Sequence, residues 1–405
     1  MKSSPKSHQT LLKIAIACGG TGGHLFPGVA VADMLRDKGH QALLLLSDKR
    51  VDREAAESVD HPTVSLPSAA WQSGGKLKFA GKLAKGLFAC RSTFKEHQPD
   101  AVLAMGGFTS LAPIMMARIQ SRPVFLHESN TIAGRAVRKL AQSAQLGFLG
   151  FDSAASTLSG LECKVTGTPV RESLRHLDRE QCCRELGFQA NRPVLLITGG
   201  SQGAMGINRG VLENLASIKA ALPDLQVLHL CGLHVSAEQI KSAYQKLQMT
   251  AQVHPFFKRM DLALGAADVA IGRSGASFMA ELAATRVPCL LVPFPSSADG
   301  HQLENARTLA RFGAAVCVEE SEIHAETLIS NLKALLLDRD NRLKMQSALC
   351  SLDYPDAAEQ IVFHILKKLG CPVENKPLDQ SPIQETSTHV GSNEPHTLRH
   401  STSLS

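Results

Sequence analysis

Two stretches of this 405-residue chain repeat one pattern: Leu11 to His24 reads LLKIAIACGGTGGH, and Pro193 to Ala204 reads PVLLITGGSQGA. Each is an unbroken apolar run that hands over to a glycine-rich turn. The first turn leads into apolar residues at helical spacing through Leu35. Runs of this kind are the mark of strands buried on both faces of a parallel sheet. Strand, glycine-rich turn, helix is the opening of a doubly wound α/β unit. Two such openings predict two Rossmann-like domains in tandem.

The remaining pattern agrees. Gln41 to Ser47, Ala101 to Ala104 and Pro123 to His127 read as strands in the first half. Gln226 to Cys231, Val269 to Gly272, Cys289 to Val292 and Ala314 to Val318 do so in the second. Strands alternating with helical segments imply an α/β class with parallel sheets. The domain boundary is expected near Thr166 to Arg192, where Gly-Thr-Pro and a charged stretch break the pattern. The expected organisation is a flexible 1–10, a first domain over 11–165, a second over 166–355, a segment 356–370 and a disordered tail over 372–405. The tail is rich in Pro, Ser, Thr, Asn and Gln and lacks aromatics.

Composition narrows the function. Charged residues are 20% of the chain and the formal charge is +6, which permits an anionic partner without demanding nucleic acid. Aromatics are 4%, with one Trp, too few for a base-stacking surface. The ten cysteines include no CxxC pair, so free thiols are expected rather than a zinc site or a disulfide framework. No apolar run approaches the ~20 residues of a membrane span. Met1 to Thr10 is polar, and no signal peptide is expected.

The glycine-rich turns carry the chemistry. Backbone N–H groups at a helix N-terminus attract phosphate, and glycines let it approach. Gly19 to His24 matches neither GxGxxG with its acidic partner nor a P-loop, which argues against a dehydrogenase. His24, at the turn's end, is a candidate general base because imidazole titrates near neutrality. It would otherwise cap the helix. Gly199 to Ala204 offers the same physics with the hydroxyl of Ser201. A third motif, Gly272 to Glu281, places an acid on a helix where it would take ribose hydroxyls or face the helix dipole. A fourth, Pro293 to Ala306, is a polar loop at a strand's C-terminal end with His301, Gln302 and Asn305. MGGFTS (105–110) and HESN (127–130) also follow strands, and Glu128 is either an acid/base group or an orienting partner.

Taken in order, GGTGGHLFPGVAVA, MGGFTS, HESN, GTPVR, TGGSQGA, RSGASFMAEL and PFPSSADGHQLENA closely resemble the MurG family, bacterial N-acetylglucosaminyltransferases that complete lipid II. The resemblance runs from about Leu12 to Leu369. It implies a GT-B fold with the active site between the domains, and a last helix near Asp356 to Leu369 crossing back to the first domain. It implies inverting transfer from UDP-N-acetylglucosamine to the 4-hydroxyl of the muramyl sugar of lipid I, with no cofactor and no obligatory metal. By motif matching, His24 and Glu128 become the catalytic candidates. Thr21, Gly22 and Gly23 would lie near the donor sugar and acceptor pyrophosphate, with Asn130 on the donor sugar. Arg171 and Ser201 would contact the donor nucleotide, and the backbone of Phe257 the uracil. Ala276, Ser277, Phe278, Met279, Ala280 and Glu281 would line the nucleoside, with Gln302 reading sugar hydroxyls. Ser129 stands where the family usually has Gln, and the loop 295–300 is less typical.

A lipid acceptor implies the cytoplasmic face of a bacterial inner membrane. Within Trp71 to His97, six basic residues (Lys76, Lys78, Lys82, Lys85, Arg91, Lys95) face one acid, Glu96. Phe79, Leu83, Leu87 and Phe88 recur at near-helical spacing. That pattern fits an anionic membrane surface, or a helix packed on its own domain. Two competing functions share the fold reading. An epimerase would use the same donor without a lipid acceptor, and a nucleotide-sugar sensor would not need His24.

Overall fold

The computed structural model describes residues 11–20, 22–49, 52–53, 57, 59–68, 75–200 and 203–372, without the side chains of 75–78 and 298. The expectations for 1–10, Thr21, Trp71, Ser201, the side chains of Lys76 and Lys78, and the tail beyond 372 lie outside the described residues.

Thirteen described strands form two all-parallel sheets. The first runs in the order β3 (Thr63–Leu66), β2 (Gln41–Ser47), β1 (Lys13–Ala17), β4 (Ala101–Ala104), β5 (Val124–Glu128), β6 (Leu146–Leu149), β7 (Cys163–Val165), and the second β10 (Ala251–His254), β9 (Gln226–Leu230), β8 (Val194–Thr198), β11 (Val269–Gly272), β12 (Cys289–Leu291), β13 (Val316–Cys317). β1 (Lys13–Ala17) and β8 (Val194–Thr198) are the two apolar runs ahead of the glycine turns. In each sheet the order reverses beside this strand, toward β4 (Ala101–Ala104) in the first and β11 (Val269–Gly272) in the second. Ligands of doubly wound sheets collect at the C-terminal edge of that switch point.

The alternation of side chains along a strand explains why these runs are apolar throughout. Ile14 and Ile16 enter one core with Ile361, Val362, Ile365 and Leu366 of the helix Ala357–Lys368. Ala15 and Ala17 enter the opposite core with Cys90 and Phe94 of the helix Gly75–His97. The helix Ala357–Lys368 therefore packs on the first sheet, although it follows the second in sequence. Lys38–Glu359 and Lys368–Glu162 ion pairs, 2.9 and 3.1 Å, fringe that contact. The segment 166–192 is more than a linker. It folds into a turn at Glu172–Leu174 and the helix Arg179–Glu185, whose Cys182 and Cys183 join the second core.

Two glycines have steric reasons to be where they are. A β-carbon on Gly19 would lie 2.3 Å from the backbone nitrogen of Ser47, at the end of β2 (Gln41–Ser47). One on Gly203, whose φ is +75°, would lie 2.5 Å from the Cys231 carbonyl oxygen. Both turns press backbone against the neighbouring strand end, and only glycine permits that approach.

Candidate active site

The two glycine turns face each other across a cleft of about 590 Å³. Its first-domain wall is Gly22, Gly23, His24, Phe26, Ser129 and Asn130. Gly22 opens the helix Gly22–Asp37. Pro27 lacks the N–H that would take the Gly23 carbonyl, so the first turn is loosened where it meets the cleft. A β-carbon on Gly106 would lie 3.1 Å from Cε1 of His24, and one on Gly107 3.2 Å from its Nε2, so these glycines make room for the imidazole. Burial holds the His24 ring below its ordinary pKa, with the nearby Glu128 carboxylate opposing. The N-terminal end of the helix disfavours an added positive charge too. The Met105 backbone, beside the buried ring, also opposes that shift. A neutral imidazole at a cleft wall is the form a general base requires.

Two carboxylates brace this wall. Asp52 Oδ2 accepts from the backbone N–H of Gly20 at 2.6 Å, from that of Ser47 at 3.0 Å and from the Ser47 hydroxyl. Glu128 Oε1 accepts from both the backbone and side-chain N–H of Asn130, at 2.9 and 2.7 Å, and its Oε2 from Gly134 N–H at 2.9 Å. Glu128 is 4% exposed and is not among the cleft-lining residues. Accepting three N–H groups from Asn130 and Gly134, it is placed to orient Asn130.

The second-domain wall is built from Thr198, Gly199, Gly200 and Gly203, from Pro255 to Lys258, and from the 273–281 and 294–302 segments. Ala276, Ser277, Phe278 and Glu281 line the cleft, whereas Met279 and Ala280 line a separate small void between the domains. Successive residues of the helix Ala276–Thr285 turn about 100° each, which divides the six expected residues between the cleft and the void. Burial raises the Glu281 pKa, and Arg171, whose NH2 is 3.7 Å away, opposes that shift. Arg171 itself stacks on the Phe26 ring at 3.9 Å, a contact across the two domains, and lies behind the cleft wall. Gln302 Oε1 accepts from the Phe294 backbone N–H at 2.9 Å. An N–H needs an oxygen opposite it, so this bond fixes which way the amide points. Phe257 lines the cleft against His254, ring centroids 5.0 Å apart.

Several residues at the site have roles that the motifs do not show. Asn305 is fully buried and joins the domains. Its Oδ1 accepts from the Thr131 backbone N–H and hydroxyl at 3.0 and 2.9 Å. Its Nδ2 donates to Asn130 Oδ1 and to the Ser274 carbonyl at 3.0 and 3.1 Å. Arg273 pairs with Glu320 at 2.6 Å and donates to the Val292 and Pro293 carbonyls. Asn305 and Arg273 were visible as polar residues in glycine- or proline-rich loops. Nothing in the sequence pointed to Asp52.

Family models cover both halves of this arrangement. The glycosyltransferase family 28 N-terminal domain matches residues 14–146, and the family 28 C-terminal domain matches 194–361. The chain belongs to glycosyltransferase family 28. Within that family, relatives named UDP-N-acetylglucosamine–N-acetylmuramyl-(pentapeptide) pyrophosphoryl-undecaprenol N-acetylglucosamine transferase are similar over nearly their whole length. That of Geobacter sulfurreducens is 34% identical, covering 87% of this chain and 97% of the relative. That of Methylococcus capsulatus is 34% identical, covering 88% and 99%. This glycosyltransferase also resembles the crystal structure of Acinetobacter baumannii MurG, with a TM-score of 0.65 and 26% identity over 88% of this chain and 100% of that one. A UDP-N-acetylglucosamine 2-epimerase structure shares the fold, with a TM-score of 0.64 at 16% identity over 91% and 100%. Two facing Rossmann-like domains with these neighbours make the architecture GT-B.

Proposed function

We propose that this protein transfers N-acetylglucosamine from UDP-N-acetylglucosamine to the 4-hydroxyl of lipid I, with inversion, yielding lipid II for peptidoglycan. The observation that carries this reading is one cleft walled by two glycine turns from separate domains, in a chain of this family. Uridine diphosphate occupies the second domain. Its ribose hydroxyls donate to Glu281, and its uracil edge meets the backbone at Phe257. The N–H groups of the turn ahead of the helix Met205–Glu213, together with Ser201, take the charge that grows on the leaving diphosphate. Arg171 steadies Glu281 from behind.

Across the cleft, His24 removes the proton from the acceptor hydroxyl as its oxygen attacks the anomeric carbon opposite the diphosphate. Gly22, Gly23 and Thr21 accommodate the acceptor pyrophosphate. Asn130, oriented by Glu128 and Asn305, retains one N–H and one lone pair beyond those bonds for the donor sugar. Gln302 directs its amide donors at the sugar hydroxyls.

The lipid tail places the acceptor at a membrane surface on the cytoplasmic side. No helix among the described residues is long and apolar enough to cross a membrane. The docking element is the helix Gly75–His97. Leu83 and Leu87 are half-buried and pack against the first core. Phe88 is 79% exposed, among the exposed Lys82, Lys85 and Arg91. This is the pairing of an apolar anchor with basic flanks that anionic lipid attracts.

The test is turnover of UDP-N-acetylglucosamine by the purified full-length protein with a lipid I analogue, in EDTA. A β-linked disaccharide formed only with acceptor present supports the reading. Donor consumed without acceptor, giving an epimer or free sugar, refutes it.

A further inference from the structure

The core of the second domain holds a chain of polar side chains that the reaction described above does not use. His229, on β9 (Gln226–Leu230), is fully buried. Its Nδ1 lies 3.0 Å from the hydroxyl of Tyr244, and its Nε2 lies 3.0 Å from Oδ1 of Asn208. Asn208 is 3% exposed, and its Nδ2 donates to the Cys231 carbonyl at 2.9 Å. The direction of the chain follows from its last link. A carbonyl can only accept, so Asn208 must present its NH2 to Cys231 and its oxygen to His229. His229 therefore carries its proton on Nε2, and its Nδ1 accepts from the Tyr244 hydroxyl. Burial lowers the His229 pKa to about 4, so the ring is neutral and can play both parts at physiological pH.

Three buried polar side chains are costly to place in an apolar core unless every group is paired, and here each one is. What the chain ends on gives it a use. The Cys231 carbonyl is the surface against which Gly203 rests, at a distance that leaves no space for a β-carbon. Gly203 lines the cleft and closes the second glycine turn through its N–H to the Gly200 carbonyl, at 2.9 Å. Asn208 stands on the helix Met205–Glu213, which that turn opens. One amide thus joins the helix to the strand end supporting the turn.

We propose that Tyr244, His229 and Asn208 form a positioning relay for the turn that receives the donor's diphosphate. The proposal rests on the reading that this turn binds diphosphate. Tyr244 and His229 touch no substrate. They hold Asn208, Asn208 holds the Cys231 carbonyl, and that carbonyl sets the height of Gly203 at the cleft.

The experiment measures UDP and uridine binding by calorimetry on the full-length protein, for wild type, Tyr244→Phe and Asn208→Leu. Tyr244→Phe removes one hydroxyl and keeps the ring, so the core stays filled. Losing one hydrogen bond from the relay is expected to weaken UDP about three- to tenfold, the scale of a single such bond. Uridine, which has no diphosphate, is expected to bind each variant as it binds wild type. Asn208→Leu is expected to widen the same difference. Equal UDP affinity in wild type and Tyr244→Phe overturns the relay. So does a parallel loss of UDP and uridine, which marks a purely structural role. Wild-type protein that fails to bind UDP at all overturns the donor-site reading together with the relay.

Discussion

A single nitrogen decides how His24 works. Burial is the largest influence on the ring, and it favours the neutral form, with Glu128, the Met105 backbone and Asp52 opposing and His301 assisting. A base with a lowered pKa is lost only when the pH falls well below the free-imidazole value of about 6.5. The acid limb of kcat against pH is therefore expected below pH ~6.5 and is expected to vanish in His24→Ala. That variant should lose about 10²- to 10⁴-fold in kcat, the range of a positioned general base, with donor KM little changed. An equal collapse of donor binding would make His24 a nucleotide contact instead. Asn305 is decided by the same kind of count. Its amide satisfies the Thr131 N–H and the Ser274 carbonyl, both inside the domain boundary. Asn305→Ala strands them, at about 1–3 kcal/mol for each unsatisfied buried group. Urea denaturation should show that loss, and donor KM should rise because Asn130 loses a restraint. An unchanged urea midpoint would exclude the bridge as a stabilising element.

Among the elements, the helix Gly75–His97 makes the most exposed claim. Phe88→Ser removes an apolar anchor that contributes nothing to the core. It should cut partition onto anionic vesicles several-fold while leaving turnover of a water-soluble acceptor intact. Unchanged partition would return the helix to the role of a solvated face. The elements also show what could be read in advance. The central strands were legible because burial on both faces leaves only apolar residues, as in β1 and β8. The missed strands were β3 (Thr63–Leu66), β6 (Leu146–Leu149), β7 (Cys163–Val165) and β10 (Ala251–His254). Three of these lie at sheet edges, where exposure mixes polar residues into short runs, and β6 is a four-residue strand interrupted by Gly147. The glycine turns were legible because their function needs the absence of a side chain. Asp52 was not recognised, and Asn305 was legible as a site candidate but not as a domain bridge, because these roles come from partners 32 and 174 residues away, which spacing cannot reveal.

At the scale of the whole molecule, the two domains are clasped beside the cleft. Arg135 and Arg138, on a first-domain helix, reach Asp299 of the second at 2.7 and 2.8 Å. Asp299 stands in a left-handed turn with Gly300, at the entrance to the helix His301–Arg311 that carries Gln302 and Asn305. Such exposed pairs are weak and salt-sensitive, so they suit a clasp that must open. Asp299→Ala should raise donor KM a few-fold at low ionic strength, and the difference from wild type should shrink in 1 M salt. A salt-independent difference would place the effect in the turn rather than in the charges.

The return of the helix Ala357–Lys368 to the first sheet has a consequence for how the protein is made. A ribosome delivers the first sheet early, with the helix Gly22–Asp37 beside Ile14 and Ile16, but Ile361, Val362, Ile365 and Leu366, which complete that core, emerge some 340 residues later. Until then a nascent chain carries one half-covered sheet face while the second domain is synthesised and free to fold. The first domain is thus completed last, and its closing step also ties the two ends of the described chain into one body. A stalled chain ending at residue 350 should be held by chaperones and cut by protease in its first half, and supplying the helix as a separate peptide should protect it.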